Sequence, residues 1–365
     1  MKNQTMKITS TLLYPLTIGL LIACNPSEND TPQPYDSGVI VGNAGNFTDN
    51  NGSISFVSRD TKLVTFNTFK KENSRELGGL VQQYTEIDGK GYIVVDNSSG
   101  ADKIEVVNAR TMQSIGKIQD ADVINPRMMV AGPTGTGKAY LSYWGNLKAD
   151  YTFNKGFVAV IDLGTMAIVK KIAVGFGPDA MKIVGTDLYV CNQGGDTKVS
   201  IINTQTDTQS QQLEVGGNAK AIETDINGSV WILANNKMLK INPQSKAIER
   251  SLKIGTHPEK EAGNLVINAD KKTFYFTYSF YDANNNYELK GETYSFGIDD
   301  TSIAANKPLI NRVFSGLGYD AAQNRLYAGF TPSYKQAGYV FRYETSGKII
   351  DSVKVEIAPS SFYFK

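Results

Sequence analysis

The sequence predicts an all-β fold: a seven-bladed β-propeller closed by its C-terminal strand, which pairs into the first blade. A pattern of short strands recurs at intervals of 42 to 52 residues, the period expected of propeller blades. Helical periodicity is absent, and 34 Gly and 19 Tyr suit short strands joined by tight turns. A solenoid is the alternative for such a period, but its units are usually shorter or contain helices.

The first segment, residues 1–23, has the pattern of an export signal. Lys2 and Lys7 precede an apolar stretch, 12–22, which Pro15 interrupts and which is too short to span a membrane. The stretch ends in the tetrapeptide LIAC at Cys24, which resembles the lipobox of bacterial lipoproteins. We therefore expect a lipoprotein signal peptide and a lipidated Cys24, with an ordinary signal peptide as the alternative.

A polar segment, 24–36, follows and is rich in Pro, Ser, Asn and acidic residues, so it predicts a flexible tether. Ser27, Glu28 and Asp30 resemble the surface-export signal of some Gram-negative lipoproteins. These features predict a protein anchored by lipid to the outer membrane and exposed at the cell surface. The propeller itself is expected to span 37–365.

One repeat unit is clearest at 183–222, with strands at 187–190, 199–203 and 213–216 and a fourth at 219–222. The first of these strands carries an aromatic residue in most units: Tyr92, Tyr140, Tyr189, Trp231, Tyr275 and Tyr327, with Ile40 in the first unit. The next strand of each unit begins at Ser53, Lys103, Phe157, Val199, Met238, Thr293 and Tyr339. The pattern therefore contains seven units.

The two ends of the repeat pattern predict how the ring closes. The mature chain begins with the second strand of a unit, at 39–41, and ends with an isolated first strand, at 361–364. We expect these two strands to pair, because radial closure leaves no long sheet edge exposed.

A glycine-rich segment, 132–138, matches most of a nucleotide-binding P-loop. The hydroxyl that would bind Mg²⁺ is missing, since Ala139 follows the lysine. Residues 139–143 read as a strand, whereas a phosphate cradle needs the start of a helix. The segment therefore predicts a turn between the first two strands of the third blade.

Other catalytic and metal signals are weak. One histidine, His257, excludes a three-histidine zinc site, and nothing places a nucleophile beside it. A carboxylate site that uses Glu259 and Glu261 stays open, although loop charges are favoured. The segments 282–286 and 49–52 resemble the start of a calcium loop but lack its later ligands, which favours solvated loops. Cys191 lies in an apolar run and predicts an inert buried thiol.

A stronger signal comes from loops expected to share one face of the propeller, those after each second strand and those between blades. The candidate ligand-binding residues there are Asn46, Phe47, Asn97, Arg127, Tyr143, Trp144, Asn146, Tyr151, Asn192, Gln193, Asn235, His257, Tyr278, Tyr281, Phe330 and Tyr334. Aromatic rings offer apolar contact area and amides both donate and accept, so this rim suits a large, mostly neutral ligand. The alternative is that these side chains fill the funnel and cap the strands.

Four segments, 38–41, 43–47, 51–54 and 103–107, resemble the YncE-like surface-layer β-propeller lipoproteins, and within them the BtuG group of surface cobalamin-binding lipoproteins. That resemblance implies nutrient uptake: capture of a corrinoid such as cobalamin and its transfer to a TonB-dependent outer-membrane transporter. It implies no enzymatic activity, cofactor or metal. A net charge of +1 gives no case for a nucleic-acid partner.

Three alternatives remain open at this point. The ligand could be a siderophore or another bulky nutrient. The propeller could instead be a scaffold for a protein or glycan, which small-molecule binding would argue against. It could also be a metal-dependent lactonase or lyase, which would need carboxylates or histidine converging at the funnel mouth.

Overall fold

A computed structural model describes Met1, residues 31–285 and residues 288–365 of the chain. Apart from Met1, the predicted signal peptide, 1–23, lies outside the described residues, as do the predicted lipidation site Cys24 and Asn286 of the calcium-like segment. The chain divides into two compact units, Met1–Gln33 and Pro34–Lys365, and the second holds every sheet. In the described part of the chain no helix has the length and apolar character needed to cross a bilayer.

The described residues form seven antiparallel sheets, which confirms the seven-bladed propeller. Six sheets have four strands, and the sixth in chain order has three. Blade 1 has the order β27-β1-β2-β3, and the other blades follow chain order from β4 onward. The first strands of neighbouring sheets contact each other around the ring, so they surround the central channel.

The strands of blades 1 to 4 are β1 (Val39–Asn43), β2 (Ser53–Val57), β3 (Val64–Thr65), β4 (Leu80–Ile87), β5 (Lys90–Asp96), β6 (Lys103–Asn108), β7 (Ser114–Ile118), β8 (Pro126–Ala131), β9 (Lys138–Tyr143), β10 (Lys155–Asp162), β11 (Ala167–Phe176), β12 (Pro178–Val184), β13 (Asp187–Asn192), β14 (Lys198–Asn203) and β15 (Thr208–Glu214). Those of blades 5 to 7 are β16 (Ala219–Thr224), β17 (Val230–Ala234), β18 (Lys237–Ile241), β19 (Ile248–Lys253), β20 (Glu261–Ile267), β21 (Thr273–Asp282), β22 (Glu288–Gly297), β23 (Gly316–Asp320), β24 (Arg325–Phe330), β25 (Ala337–Glu344) and β26 (Ile349–Ile357), and β27 (Pro359–Phe364) completes blade 1.

The phase of the repeat differs from the prediction. The strand expected as the fourth of one unit, 219–222, is β16, the innermost strand of the next blade. Its link to β15 is a short turn, so chain proximity could not show which sheet it joins. The strand that carries the recurring aromatic residue is consequently second in its sheet. Its residues, as in β17, are almost all buried because neighbouring blades cover both faces.

One helix was not predicted: α1 (Thr68–Asn73), which connects β3 to β4. It begins at Asn67, whose side chain accepts a hydrogen bond from the Lys70 amide, a typical N-cap contact. Six residues are fewer than two turns, too few to produce a helical periodicity in the sequence. A 3₁₀ turn, Ala283–Asn285, also lies at the end of β21.

Apolar side chains pack between neighbouring blades. Trp231 of blade 5 lies 5.3 Å from Phe274 and 5.7 Å from Phe296 of blade 6, measured between ring centroids. Its indole N–H donates to Asp225 Oδ2 at 2.9 Å, which satisfies the polar atom inside the core. Cys191 is buried as predicted, and burial raises the pKa of its thiol.

The C-terminal strand closes the ring, as predicted. Strand β27 pairs with β1 in antiparallel register, with Val39 opposite Phe364 and Val41 opposite Phe362. The rings of Phe362 and Phe364 lie 6.2 Å and 5.2 Å from Tyr327 of blade 7. The last strand therefore belongs to blade 1 and packs against blade 7.

Two polar contacts strengthen this seam between blades 7 and 1. Arg342 of β25 donates to the backbone oxygens of Ser58 and Arg59, at 3.0 and 2.8 Å. Glu356 of β26 uses Oε2 to accept hydrogen bonds from Ser53 Oγ at 2.7 Å and from the Asn67 amide at 3.0 Å. Both side chains reach from blade 7 into blade 1 or its connection to blade 2, so they join the two ends of the ring.

The chain joins the propeller at Tyr35 and Asp36. Tyr35 is buried with its ring 5.2 Å from that of Phe56, and its hydroxyl donates to Glu72 at 2.6 Å. Asp36 pairs with Arg110 at 2.7 Å in the turn between β6 and β7. Because turns between third and fourth strands lie at one end of the blades, the chain joins opposite the candidate ligand-binding loops.

The P-loop-like segment is a turn, as predicted. Residues 132–138 connect β8 to β9, and the Gly132 amide donates to the Lys138 backbone oxygen at 2.8 Å. Lys138 extends from this turn to pair with Asp207 of blade 4. The lysine of the motif therefore serves an interblade contact.

Candidate ligand-binding face

The loops after each second strand and the connections between blades lie at one end of the sheets, called here the loop face. This follows from antiparallel pairing within every blade. The structure places the predicted residues of this face in four surroundings: a cleft, a polar cluster, the interior, and separate exposed positions. Their role in ligand binding stays a prediction.

The blade 6–7 cleft is an open cavity of about 730 Å³ on this face. Three predicted residues line it: Tyr281 at the end of β21, Phe330 at the end of β24, and Tyr334 in the loop after β24. Tyr281 is 57% exposed and Tyr334 is 53% exposed. The remaining lining residues are Asn285, Glu288, Leu289, Lys290, Gly291, Arg312, Val313, Ser315, Thr331, Pro332 and Ser333.

One wall of the cleft is a long hairpin of blade 6. Strands β21 and β22 are ten residues each and pair from Thr273 with Gly297 to Asp282 with Glu288. The hairpin therefore extends beyond the loops of its neighbours. Arg312 lies in the connection from β22 to β23 and was not predicted. A single surface arginine in a long connection follows no sequence pattern that would indicate a binding site.

A polar cluster surrounds Arg127 at the end of the central channel. Its Nη1 lies 3.2 Å from Asp96 Oδ2, and its Nε lies 3.6 Å from Asp179 Oδ2. Gln193 donates to the same oxygen of Asp179. The guanidinium also lies 3.8 Å from the centre of the Trp144 ring. The structure thus brings together three residues predicted for this face: Arg127, Trp144 and Gln193. The two carboxylates between them, Asp96 and Asp179, were not predicted.

Burial raises the pKa of Asp96 to about 6, although Arg127 opposes the shift and Asp102 adds to it. Burial also raises the pKa of Asp102, whose carboxylate accepts from the amides of Asn97 and Asn125. The pKa of Asp179 is raised by the same cause. Three desolvated carboxyl groups around one arginine hold blades 2, 3 and 4 together.

Three predicted residues are interior: Tyr143, Asn192 and Tyr278 are each at most 3% exposed. Tyr143 stacks on Phe157 with centroids 5.4 Å apart, and burial raises its pKa to about 12. Asn192 donates to the Lys198 backbone oxygen at 2.8 Å. All three lie in second strands, three residues after the aromatic residue of the strand, where neighbouring blades cover both faces of the sheet.

The other predicted residues are spread over the face. Phe47 and Asn97 line a second hollow of about 600 Å³ between blades 1 and 3. Asn46 donates to the Tyr334 backbone oxygen at 2.9 Å, which connects the first loop to the wall of the cleft. Asn146, Tyr151, Asn235 and His257 are exposed and do not line the cleft.

His257 has a structural explanation within its loop. Its Nδ1 accepts from the amides of Glu259 and Lys260, both at 3.2 Å, so the ring caps the turn. Glu261 pairs with Lys220. Neither contact arranges a base beside a nucleophile, and these contacts are consistent with the favoured interpretation of Glu259 and Glu261 as loop charges.

The calcium-like segments use their oxygens in turns. Asn51 Oδ1 accepts from the Asn46 amide at 2.7 Å, and Asn50 Oδ1 accepts from the Ser98 amide at 3.0 Å. Asp282 Oδ2 lies 2.7 Å from Lys290 Nζ. Within residues 31–285 and 288–365, no group of three or more acidic, histidine or cysteine side chains is arranged to hold a metal ion.

A third hollow, of about 780 Å³, lies between the loop of blade 1 and the last strand of blade 7. Its wall combines amide, hydroxyl and carboxylate groups, among them Glu356, Asn67 and Glu76, with apolar surface that includes Ala337 and Ile357. Sequence reasoning missed it, because its residues come from the segments on either side of α1, from β26 and from loops that are far apart in the chain. The Ser53, Ser55 and Asn67 contacts of Glu356 give it a role at the seam.

Comparison with known proteins agrees with the fold. A family model described as a domain of unknown function, DUF5074, matches residues 37–365. A quinonprotein alcohol dehydrogenase-like protein from Bacteroides thetaiotaomicron superposes with a TM-score of 0.63 and 14% identity, over 90% of this chain and 78% of that chain. Hydrazine synthase from Kuenenia stuttgartiensis gives 0.54 and 17%, over 75% and 85%. No curated protein matches the sequence.

At such identities the structural similarity shows the fold and carries nothing about activity. The resemblance to YncE-like propellers and to the BtuG group therefore stays a prediction.

Proposed function

The chain belongs to the DUF5074 family, and we propose that it is a binding protein, not an enzyme, that captures a bulky organic ligand in the blade 6–7 cleft. The observation that carries the proposal is the cleft itself. Its volume of about 730 Å³ falls within the range of roughly 300–1,000 Å³ typical of small-molecule sites. Two exposed tyrosines and the half-buried Phe330 supply apolar contact area with hydrogen-bonding edges.

The first ligand to test is a corrinoid such as cobalamin. The motif resemblance to surface cobalamin-binding lipoproteins motivates this choice, and the aromatic and amide lining is compatible with a large ligand. The predicted lipid anchor at Cys24 leads to the rest of the proposal. The protein holds the ligand at the outer membrane, at the cell surface, and passes it to a TonB-dependent transporter. A siderophore or another bulky nutrient is the second candidate ligand.

Isothermal titration with cyanocobalamin and with cobinamide tests the cleft. The variant Tyr281→Ala/Tyr334→Ala removes the two exposed rings that flank it. The matched control is Tyr151→Ala, which removes an exposed tyrosine of the loop face that does not line the cleft. We expect wild type and control to bind alike, and the double variant to bind at least roughly 10-fold more weakly, since buried aromatic anchors dominate such contacts.

The outcomes separate the hypotheses. If neither corrinoid gives heat at micromolar protein, the corrinoid proposal is wrong, and the same titration is repeated with ferric siderophores. If the double variant binds as wild type does, the ligand lies elsewhere on the loop face. Stoichiometric metal in the purified protein would favour the lactonase or lyase alternative.

The membrane anchor is tested separately. Mass spectrometry of the purified chain should find an acylated cysteine as the first residue of the mature protein. The variant Cys24→Ala should release the propeller from the membrane fraction. A membrane-bound variant would contradict lipidation at Cys24, without affecting the proposal for the cleft.

A further inference from the structure

We infer that the blade 6–7 cleft selects a ligand that carries an anionic group next to a ring or conjugated surface, and that Arg312 determines this selectivity. The inference rests on the proposed function of the cleft as a ligand site. It adds the chemical class of the part of the ligand bound there.

Arg312 is exposed and held in place by aromatic rings. Its guanidinium lies 5.2 Å from the centre of the Phe330 ring and 4.8 Å from the centre of the Phe341 ring. Both rings are half-buried, so they form a fixed platform beneath a planar cation. The side chain therefore has a defined orientation before any ligand binds, which lowers the entropy that binding costs.

No described residue neutralises the charge of Arg312. To the described residues its guanidinium makes no hydrogen bond and no ion pair within 4 Å, so its donors are available to a ligand. Arg127, in contrast, has two carboxylates within 4 Å. An arginine fork is matched geometrically by a carboxylate or a phosphate, which accepts two parallel hydrogen bonds.

The other charges of the cleft are engaged with each other. Lys290 Nζ lies 2.7 Å from Asp282 and 3.9 Å from Glu288, and Glu288 also accepts from Asn285. Arg312 is thus the charge for which a ligand would supply the counter-ion. The hydroxyl-bearing residues Thr331 and Ser333 line the same cavity and add polar groups beside the anion.

The rings place the rest of the ligand. Phe330 lies under Arg312, and the exposed rings of Tyr281 and Tyr334 flank the cavity from the hairpin and from the blade 7 loop. A ring or conjugated plane can stack on these tyrosines while its acidic substituent meets the guanidinium. A neutral ligand of the same shape would leave the guanidinium facing apolar surface without an acceptor, which is unfavourable.

A matched pair of fluorescent probes tests the inference. These are 8-anilinonaphthalene-1-sulfonate and N-phenyl-1-naphthylamine, which share their ring system and differ by the sulfonate. We expect the sulfonate probe to bind wild-type protein with one-to-one stoichiometry, and about 10-fold or more tightly than the neutral probe, as a charge-assisted contact implies. Raising the salt concentration should weaken the binding of the sulfonate probe and leave the binding of the neutral probe unchanged.

Two variants locate the effect. Arg312→Gln should reduce the affinity for the sulfonate probe to that for the neutral probe. Lys335→Gln is the control, because Lys335 is exposed in the blade 7 loop, does not line the cleft, and carries the same charge. Arg312→Lys keeps the charge but loses the planar fork, so we expect an intermediate affinity. Circular dichroism of each variant checks that the propeller is intact.

Equal affinity for the two probes, or equal losses in Arg312→Gln and Lys335→Gln, would overturn the inference. A corrinoid that binds wild type and Arg312→Gln alike would also overturn it, while leaving the proposed function in place. Conversely, probe selectivity that depends on Arg312 without any corrinoid heat would support the anionic cleft and remove the corrinoid proposal.

Discussion

Arg342 provides the sharpest test of how the propeller closes. Its Nε and Nη2 donate to the two carboxylate oxygens of Asp351, each at 2.6 Å. The same guanidinium donates to the backbone oxygens of Ser58, Arg59 and Thr61 in blade 1, at 3.0, 2.8 and 3.2 Å. One side chain therefore satisfies five acceptors on both sides of the seam.

The perturbation is Arg342→Met, which keeps an unbranched apolar stem and removes every donor. The Arg342 side chain is 3% exposed and that of Asp351 is 15% exposed. Removing one partner of a buried ion pair typically costs about 3–5 kcal/mol. Since water reaches Asp351 in part, we expect a loss near the lower end, about 3 kcal/mol. That is a large fraction of the roughly 5–15 kcal/mol that stabilises a typical domain.

The assay is urea denaturation followed by tryptophan fluorescence, which reports on Trp231 in the core and on Trp144 beside Arg127. The matched control is Lys348→Met in the turn that follows the same strand. Lys348 pairs with Glu344 at 3.4 Å, but the two side chains are 75% and 50% exposed. Such a surface pair contributes little, so the control should unfold within about 0.5 kcal/mol of wild type.

The pH dependence of the free energy of unfolding provides a second test. Hydrogen bonds from Arg342 lower the pKa of Asp351 from 3.8. The pair thus adds stability above about pH 4 in the wild type, and this stability is lost as the pH falls through the lowered pKa. Arg342→Met should lack that component. If Arg342→Met and Lys348→Met unfold at the same urea concentration, the seam does not depend on this arginine and the argument is wrong.

Three further predictions concern the ring and the polar cluster. Deleting 359–365 should abolish cooperative unfolding and make the whole chain sensitive to protease, because β1 loses its neighbour; a truncated chain with wild-type thermal stability would contradict closure by β27. Glu356→Ala should cost about 1–3 kcal/mol and speed hydrogen exchange at the Asn67 amide, which loses its acceptor, whereas unchanged exchange would rule out this role. The carboxyl group of Asp96 has a pKa of about 6 in the folded protein and 3.8 in the unfolded chain. Because the unfolded chain releases this proton at lower pH, the free energy of unfolding of the wild type should fall by up to roughly 3 kcal/mol as the pH rises from 4 to 6. Asp96→Asn should lack this loss in denaturation at a series of pH values, and parallel pH profiles would refute it.

The number of blades could be predicted from the sequence because each second strand must be apolar on both faces. Residues such as Tyr92, Tyr189 and Trp231 mark that strand, and all are buried. The assignment of β16 to its blade could not be predicted, since the turns within and between blades have similar lengths. In blade 6 the fourth strand is replaced by the long connection 298–315, which pairs only through isolated bridges such as Thr293 with Ile310.

The candidate site was predictable to a lesser extent. Tyr281, Phe330 and Tyr334 come together because their loops extend from neighbouring blades toward the same cleft. Tyr143 and Tyr278 lie at the same strand position as Phe330, three residues after the aromatic residue of the second strand, yet they are buried whereas Phe330 is half-buried beside the cleft. The strand position alone therefore could not show which of the three reaches a cavity. Arg312 could be recognised only from the structure, because the rings that it contacts, Phe330 and Phe341, lie in β24 and β25.

The contact of Asp36 with Arg110 also determines at which end of the propeller the N-terminal segment is attached. Lys365 reaches the same region, donating from its Nζ to the Ala109 backbone oxygen and from its amide to Gly38 at 3.0 Å. The first and last residues of the propeller therefore both lie at the end of the blades opposite the loop face. A fusion partner or a sensor chip coupled through residues upstream of Pro34 would be attached at the end of the blades opposite the loop face, so the attachment point itself would not cover the blade 6–7 cleft.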